Sequence, residues 1–408
     1  MFQQDKWKRT FFIVALGQAV SLLGSYGVQF ALIWWLAEQT SSPLMLGLSG
    51  LAAYLPMTLF SPLAGIAADR FDRKSICIAA DMSMGLTALA YAVCLSLFNL
   101  PVWTVFIMLC ARGIGSTFQQ PAIQSIIPQL VPAEQLVRTN GWMQLMNAGS
   151  FLLGPVIGAS LYAAFPMSVV LMSDVIGAAL ASAALASVRV PKLEKRQGHG
   201  RGMLEEFREG LQVFRRDRAL FCLVAAEAVC MFFYAPLSSF YPLMTSDYFN
   251  LSAMYGSAAE LSFAVGMLAS SLLFSTVWRV KRKILTSYIG LFGMGAFSAA
   301  CGVLPPVFAG WLLFAALCAG LGASGNVHTL PLTAYLQETV EAGKMGRAFS
   351  VLTLISSVAM PAGLLFSSPI AEKTGVRTWF FIAGAAMLAA TAAICLCRLR
   401  GRGEGEQG

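Results

Sequence analysis

What this chain has least of is charge. Asp, Glu, Lys and Arg together make up 12% of its 408 residues, and histidine occurs only twice. A water-soluble domain carries about twice that share of charge, so a solvated surface is excluded over most of the length. No glycine-rich loop ending in Lys-Ser or Lys-Thr occurs, and ATP is therefore not expected to act within the chain. Nine cysteines are present, all inside apolar runs, and Cys395-Leu396-Cys397 has neither metal-ligand nor redox spacing. They read as small apolar residues, and no metal or cofactor is expected. Gly320-Leu321-Gly322-Ala323-Ser324-Gly325 matches a dinucleotide-binding pattern in spacing only. An apolar run surrounds it and no strand precedes it, so it reads as a helix-packing surface. His328 reads as a packing or hydrogen-bonding group near the inner end of its run.

What the chain has instead is length in apolar runs. It is 57% hydrophobic with a mean hydropathy of +0.69. Runs long enough to cross a bilayer of about 30 Å recur along the whole chain. They lie near 11–37, 44–68, 76–98, 102–124, 141–164, 168–188, 219–245, 256–278, 284–303, 307–335, 347–371 and 376–397. Backbone groups in lipid must be satisfied within their own segment, so each run is expected to be a helix. The first is too long for a signal peptide and has no small-residue cleavage site after it, so it reads as a retained span.

Basic residues set the orientation. With the N-terminus inside, all 28 Lys and Arg fall in inner loops and tails except Lys373, Arg377 and Arg112. That asymmetry puts both termini in the cytoplasm of a multi-pass protein of the cell membrane. The net charge of +8 is divided into small patches, so no nucleic-acid surface is read from it. Four domains follow: a six-helix half over 1–188, a cytoplasmic linker over 189–218, a second six-helix half over 219–397, and a disordered tail over 398–408. Within the linker, Met203, Leu204, Phe207, Leu211 and Phe214 recur at helical spacing among charges, the pattern of an amphipathic helix on the inner leaflet. A weak repeat flanks it. Glu134 to Gly158 and Glu341 to Gly363 each carry an acid, a short polar turn and a helix that reaches a proline, Pro155 or Pro361.

The segment Gly65-Ile66-Ala67-Ala68-Asp69-Arg70-Phe71-Asp72-Arg73-Lys74 is too charged for hydrocarbon and must sit at a membrane face. Its G-x-x-x-D-R-x-x-R-K spacing resembles the loop between the second and third helices of major facilitator superfamily transporters. Gly154-Pro155-Val156-Ile157-Gly158 resembles the G-P-x-x-G signature of the antiporters in that superfamily, and Arg112-Gly113-Ile114-Gly115 resembles its intramembrane arginine motif. Gly17-Gln18-Ala19-Val20-Ser21-Leu22, Leu130-Val131-Pro132-Ala133-Glu134-Gln135-Leu136, Asp247-Tyr248-Phe249-Asn250 and Gly346-Arg347-Ala348-Phe349-Ser350 are similar to the macrolide-efflux permease branch. The resemblance implies an all-α integral membrane fold with twelve transmembrane helices in two pseudo-symmetric six-helix halves. It also implies gating by Asp69, Arg70, Arg73 and Lys74 at the inner face and by Gly154, Pro155 and Gly158 within the fifth span.

Ionisable residues inside spans cost several kcal/mol unless paired or wet. Here they are Arg112, Asp81, Asp174, Glu227 and Glu260, the candidates for proton coupling. Arg112 falls roughly 15 Å into its span and Glu227 roughly 12 Å into its own. In the family fold the first, fourth, seventh and tenth helices line the cavity, which would let these two face one another. Glu227 is not a residue associated with the macrolide branch. Asp81, Asp174 and Glu260 lie nearer the faces and read as anchors between helices. On the same cavity helices, Gln18, Tyr26, Gln29, Phe30, Gln119, Met231, Phe232, Tyr234 and Asn326 would suit a bulky lipophilic substrate. The expected activity is export of a lipophilic drug, a macrolide first, by proton antiport. Export of an endogenous amphiphile such as a siderophore, or lipid flipping, is the alternative. The expected partners are the bilayer, protons and substrate, with a monomer as the working unit and an ATP-binding partner protein left open. No enzymatic activity is expected.

Overall fold

The computed structural model of the chain describes residues 4–132, 135–190, 212, 214, 217–276, 280–340 and 342–403. Twelve long helices follow in order: α1 Gln4–Thr40, α2 Pro43–Arg70, α3 Arg73–Leu97, α4 Thr104–Leu130, α5 Leu136–Ala164 and α6 Met167–Ser187, then α7 Arg218–Leu243, α8 Ala253–Thr276, α9 Lys283–Cys301, α10 Phe308–Thr339, α11 Ala342–Thr374 and α12 Val376–Gly403. One π-helical turn, Met244–Tyr248, extends α7 beyond Pro242. No strand occurs among the described residues. Of the linker helix expected over Met203–Phe214, Met203, Leu204, Phe207 and Leu211 lie outside them, and Phe214 is helical and buried.

Several helices run past the spans read from hydropathy. α1 begins before residue 11 and α11 before residue 347. Hydropathy registers only the stretch that meets hydrocarbon, whereas the helix continues into the interface, where Lys and Arg are solvated. Eleven helices among the described residues are long and apolar enough to cross a membrane. The one left out is α4, whose apolarity is diluted by Arg112, Gln119, Gln120, Gln124 and Gln129. Arg112 and Gln119 are turned onto other helices, whereas Gln120 and Gln124 are exposed. Exposed Leu59, Leu86, Ile107, Leu272, Leu312 and Phe366 show the converse. They lie within helices long enough to cross a bilayer, where lipid suits them.

Contacts divide the chain into two units, Met1–Ser41 with Leu48–Gln197 and Ser42–Gly47 with Gly198–Gly408. In the first, α1 packs on α5 and α6, and α3 packs on α4 and α6. In the second, α7 packs on α11 and α12, α10 on α8 and α9, and α9 on α12. Close approach in lipid rests on small residues. A Cβ at Gly158 would collide with the Gly27 carbonyl, so these two glycines set the α1–α5 crossing. The first hairpin of each unit turns on one residue with positive φ, Ser41 at 45° and Asn250 at 53°. Asp72 caps α3 by accepting from the Ser75 amide at 2.9 Å, and Asp217 caps α7 by accepting from the Ala219 and Leu220 amides at 2.8 and 3.2 Å. Asp217 also accepts from the Tyr335 hydroxyl at 2.7 Å, which ties the start of α7 to the end of α10.

Candidate functional site

In the first unit the buried Asp81, Arg112 and Asp174 are each held by more than one partner. Asp81 of α3 is fully buried and accepts from the Gln18 amide of α1 at 3.0 Å and from the Gln119 amide of α4 at 2.5 Å. The Gln119 amide also reaches the Gln18 oxygen at 3.0 Å, closing the triangle. A side-chain amide at membrane depth has no water to satisfy it, so Gln18 and Gln119 turn to a carboxylate between helices. Both are buried, which gives them a task other than facing a substrate.

Arg112 forms an ion pair with Asp174 of α6 and donates to the Ser25 carbonyl at 3.1 Å. The Ser25 hydroxyl donates to the other Asp174 oxygen at 2.7 Å. Three helices thus meet at one guanidinium. The carboxylate that serves Arg112 is Asp174 of its own unit, where the cavity argument had put Glu227. Sequence reading lacked the signal because Arg112 and Asp174 are 62 residues apart and share no motif.

Asp69 and Arg70 close α2, and their side chains lie outside the described residues. Arg73 donates to the Ser125 carbonyl of α4 at 3.3 Å, and Lys74 to the Ala186 and Val188 carbonyls at 2.9 and 2.7 Å. A lysine on the last carbonyls of a helix satisfies groups that the helix itself cannot. In the fifth helix, Gly154 and Gly158 lie against Tyr26 and Gly27 of α1, with Pro155 between them on the helix. Tyr26 also meets the Phe151 ring edge-on at 5.6 Å. Phe30 is buried and stacks on Trp34 at 5.9 Å, so it is core. Gln29 is half-buried.

The second unit is arranged differently. Glu227 of α7 and His328 of α10 are both buried, and Oε2 lies 3.9 Å from Nε2. Neither of those atoms has a hydrogen-bond partner among the described residues. Read from sequence, His328 was a packing group; its one signal is that histidine occurs only twice. Glu260 of α8 is half-buried and stands one turn before Phe263, whose ring stacks on Tyr234 at 6.4 Å. Phe232 meets Phe233 and Phe366 at 5.2 and 5.8 Å. Met231, Phe232 and Tyr234 are all half-buried. Asn326 donates to the Met267 carbonyl at 2.6 Å and to the Ser271 hydroxyl at 2.8 Å, so its amide nitrogen fastens α10 to α8. Gly322 of the glycine pattern lies against the Phe263 carbonyl, a helix contact. Among the described residues no group of three His, Cys, Asp or Glu side chains is placed to hold a metal.

Comparison with known proteins gives this geometry a family. Macrolide efflux protein A of Streptococcus pyogenes is 36% identical over 385 residues, covering 94% of this chain and 95% of that protein. The protein of that name from Enterococcus faecalis is 35% identical over 324 residues, 79% of this chain and 99% of that one. The multidrug efflux pump Tap of Mycolicibacterium fortuitum is 24% identical, covering 90% of each chain. Among solved structures, a POT family transporter superposes with a TM-score of 0.75 at 13% identity, over 97% of this chain and 98% of that one. A nucleoside transporter superposes at 0.74 and 12%, over 95% and 99%. At such identities the structures speak for the fold alone. The sequence model of the Major Facilitator Superfamily matches residues 14–364, and the chain belongs to that superfamily of membrane transporters.

Proposed function

We propose that this chain is a secondary active exporter that moves lipophilic drugs, macrolide antibiotics first among them, out of the cell in exchange for protons by alternating access. It would work as a monomer in the cytoplasmic membrane with both termini inside. The drug half of the reading draws on the macrolide efflux proteins, which resemble this chain over nearly its whole length. The proton half is carried by one observation: Glu227 is a buried carboxyl whose Oε2 has no hydrogen-bond partner among the described residues.

A proton carrier must change its proton affinity between two states of the transporter. Arg112 and Asp174 suit that task poorly. Parting a buried ion pair leaves two uncompensated charges in a low-dielectric site, at a cost of about 3–5 kcal/mol. Glu227 has no such tie. Its environment changes whenever α7 shifts against its neighbours, so the carboxyl can gain its proton facing one side of the membrane and release it facing the other. The half-buried Tyr26, Met231, Phe232 and Tyr234 offer aromatic and thioether surface to an apolar substrate.

The test is erythromycin accumulation in a pump-deficient bacterial host, with and without a protonophore. Wild-type chain should hold accumulation low and lose that effect with protonophore. Glu227→Gln, confirmed at wild-type level in the membrane, should accumulate drug like the empty host. Equal accumulation in cells with and without the wild-type chain sinks the macrolide reading and turns the search to siderophores and lipids.

A further inference from the structure

Building on the proton-driven reading, we infer that the proton site is a pair and that His328 is its second member. The imidazole is held from behind. Nδ1 lies 3.2 Å from the Ser287 carbonyl oxygen of α9. A carbonyl only accepts, so the ring hydrogen sits on Nδ1, and the neutral ring turns a bare Nε2 lone pair towards Glu227. The Ser287 hydroxyl donates to the His328 carbonyl at 2.5 Å, so α9 and α10 are fastened in both directions at this residue. A bare Nε2 facing a bare carboxylate oxygen is repulsive. The pair therefore holds a proton, either on the Glu227 carboxyl or on the ring.

In the step this permits, the Glu227 Oε2–H bond breaks and an Nε2–H bond forms on His328. The carboxyl becomes carboxylate and the imidazole becomes imidazolium, with no other atom or electron exchanged. Direct transfer needs a hydrogen bond of about 2.7–3.2 Å, and the observed 3.9 Å is longer. The transfer thus waits on α7 and α10 closing by about 1 Å, which ties the proton's position to the conformation of this half.

Besides Glu227, α7 carries Cys222, Tyr234 and Tyr241, α8 carries Tyr255 and α9 carries Cys301. Cys230, one turn along α7, lies 3.5 Å from the Thr391 hydroxyl of α12. α9 brings Tyr288 and also Lys283, which pairs with Glu338 of α10. α8 brings Glu260, and α10 itself adds Cys318 and Tyr335. Arg377 of α12 is bound to the Gly302 carbonyl, and Cys395 and Cys397 stand at the other end of that helix. Asp247 and Tyr248 lie in the π turn at the far end of α7. α11 has no titratable residue between Ala348 and Ala371.

His199 is the only other histidine, so His199→Gln leaves His328 as a single reporter in the full-length chain. The first measurement is the pH titration of its ring nitrogens by NMR on purified, ¹⁵N-histidine-labelled protein. Adding Glu227→Gln should move the titration midpoint by about one pH unit or more, as for charges near 4 Å apart. An unmoved midpoint overturns the pair. If that variant fails to fold, Glu227→Asp, which retracts the charge by one methylene, takes its place, and again no shift overturns the pair. The second measurement is transport in reconstituted vesicles. His328→Gln can still donate to the Ser287 carbonyl but takes no proton. It should keep downhill erythromycin movement and lose at least tenfold in proton-driven accumulation; unchanged proton dependence overturns the inference. If the wild-type chain moves no erythromycin, the drug reading fails, while the NMR coupling still decides the pair.

Discussion

In the first unit, glutamines face each other on the first and fourth helices, Gln18 and Gln119; in the second unit the first and fourth helices present Glu227 and His328. The match is close in register. Glu227 stands as many residues before the turn residue Asn250 as Gln18 stands before Ser41, 23 in each case. The third helix of each unit supplies the anchor, the Asp81 carboxylate in one and the Ser287 carbonyl in the other. The outcome differs sharply. Where two neutral amides flank a carboxylate, donors and acceptors are matched and the cluster is closed. Where a carboxyl faces an imidazole, the same positions hold Oε2 and Nε2 atoms 3.9 Å apart that do not satisfy one another. One scaffold gives a closed cluster in one unit and, on the proposal above, a switchable pair in the other.

That contrast is open to attack, beginning with the largest effect. Arg112→Ala should leave Asp174 charged and unpaired in the first unit, at a cost of about 3–5 kcal/mol, read as a large fall in thermal stability of the purified protein. The double change Arg112→Met with Asp174→Leu should restore most of it, because well-packed apolar residues replace buried ion pairs at little cost. Recovery of stability without export would assign the pair a working role as well.

Asp81→Asn sharpens the comparison next. It sets an amide donor against two amide donors and should cost about 1–3 kcal/mol. Export should nevertheless keep its sensitivity to protonophore, since the closed triangle is structural. Loss of that sensitivity in stable protein would move the proton site to the first unit. Gly158→Ala should cost a similar amount by forcing α1 from α5. Gly325→Ala, with nothing within 4 Å of the new Cβ and a helical backbone, should stabilise the protein by about 0.5–1 kcal/mol. Smallest of all, Lys283→Ala removes an ion pair whose Glu338 partner is 64% exposed, and should change stability by about 0–1 kcal/mol.

Much of this was legible in one dimension because the bilayer makes it so. Hydropathy marks the spans, basic loops give the expected sidedness, and the Asp69–Lys74 and Gly154–Gly158 segments bear the resemblance to the superfamily. α4 shows the limit of hydropathy. Its glutamines take it below the apolarity of its neighbours, yet it is a full helix because Gln119 and Arg112 are answered by α1, α3 and α6. The buried partners could not be read at all. Asp81 with Gln119, Arg112 with Asp174 and Glu227 with His328 are separated by 38, 62 and 101 residues, and no local pattern encodes such pairings.

By itself the sequence determined a membrane protein of twelve helical spans and named the few ionisable side chains placed at membrane depth; that it is a transporter came from the resemblance of its motifs to the superfamily. The spans and the depth of those side chains follow from composition and period, since lipid penalises every unpaired charge and every open backbone group wherever it falls. Only the tertiary structure decided which of those charges meet a partner and which do not. That depends on what a neighbouring helix brings within about 4 Å, and in this chain it separates Arg112, held between Asp174 and Ser25, from Glu227, whose Oε2 faces His328 without a hydrogen-bond partner among the described residues.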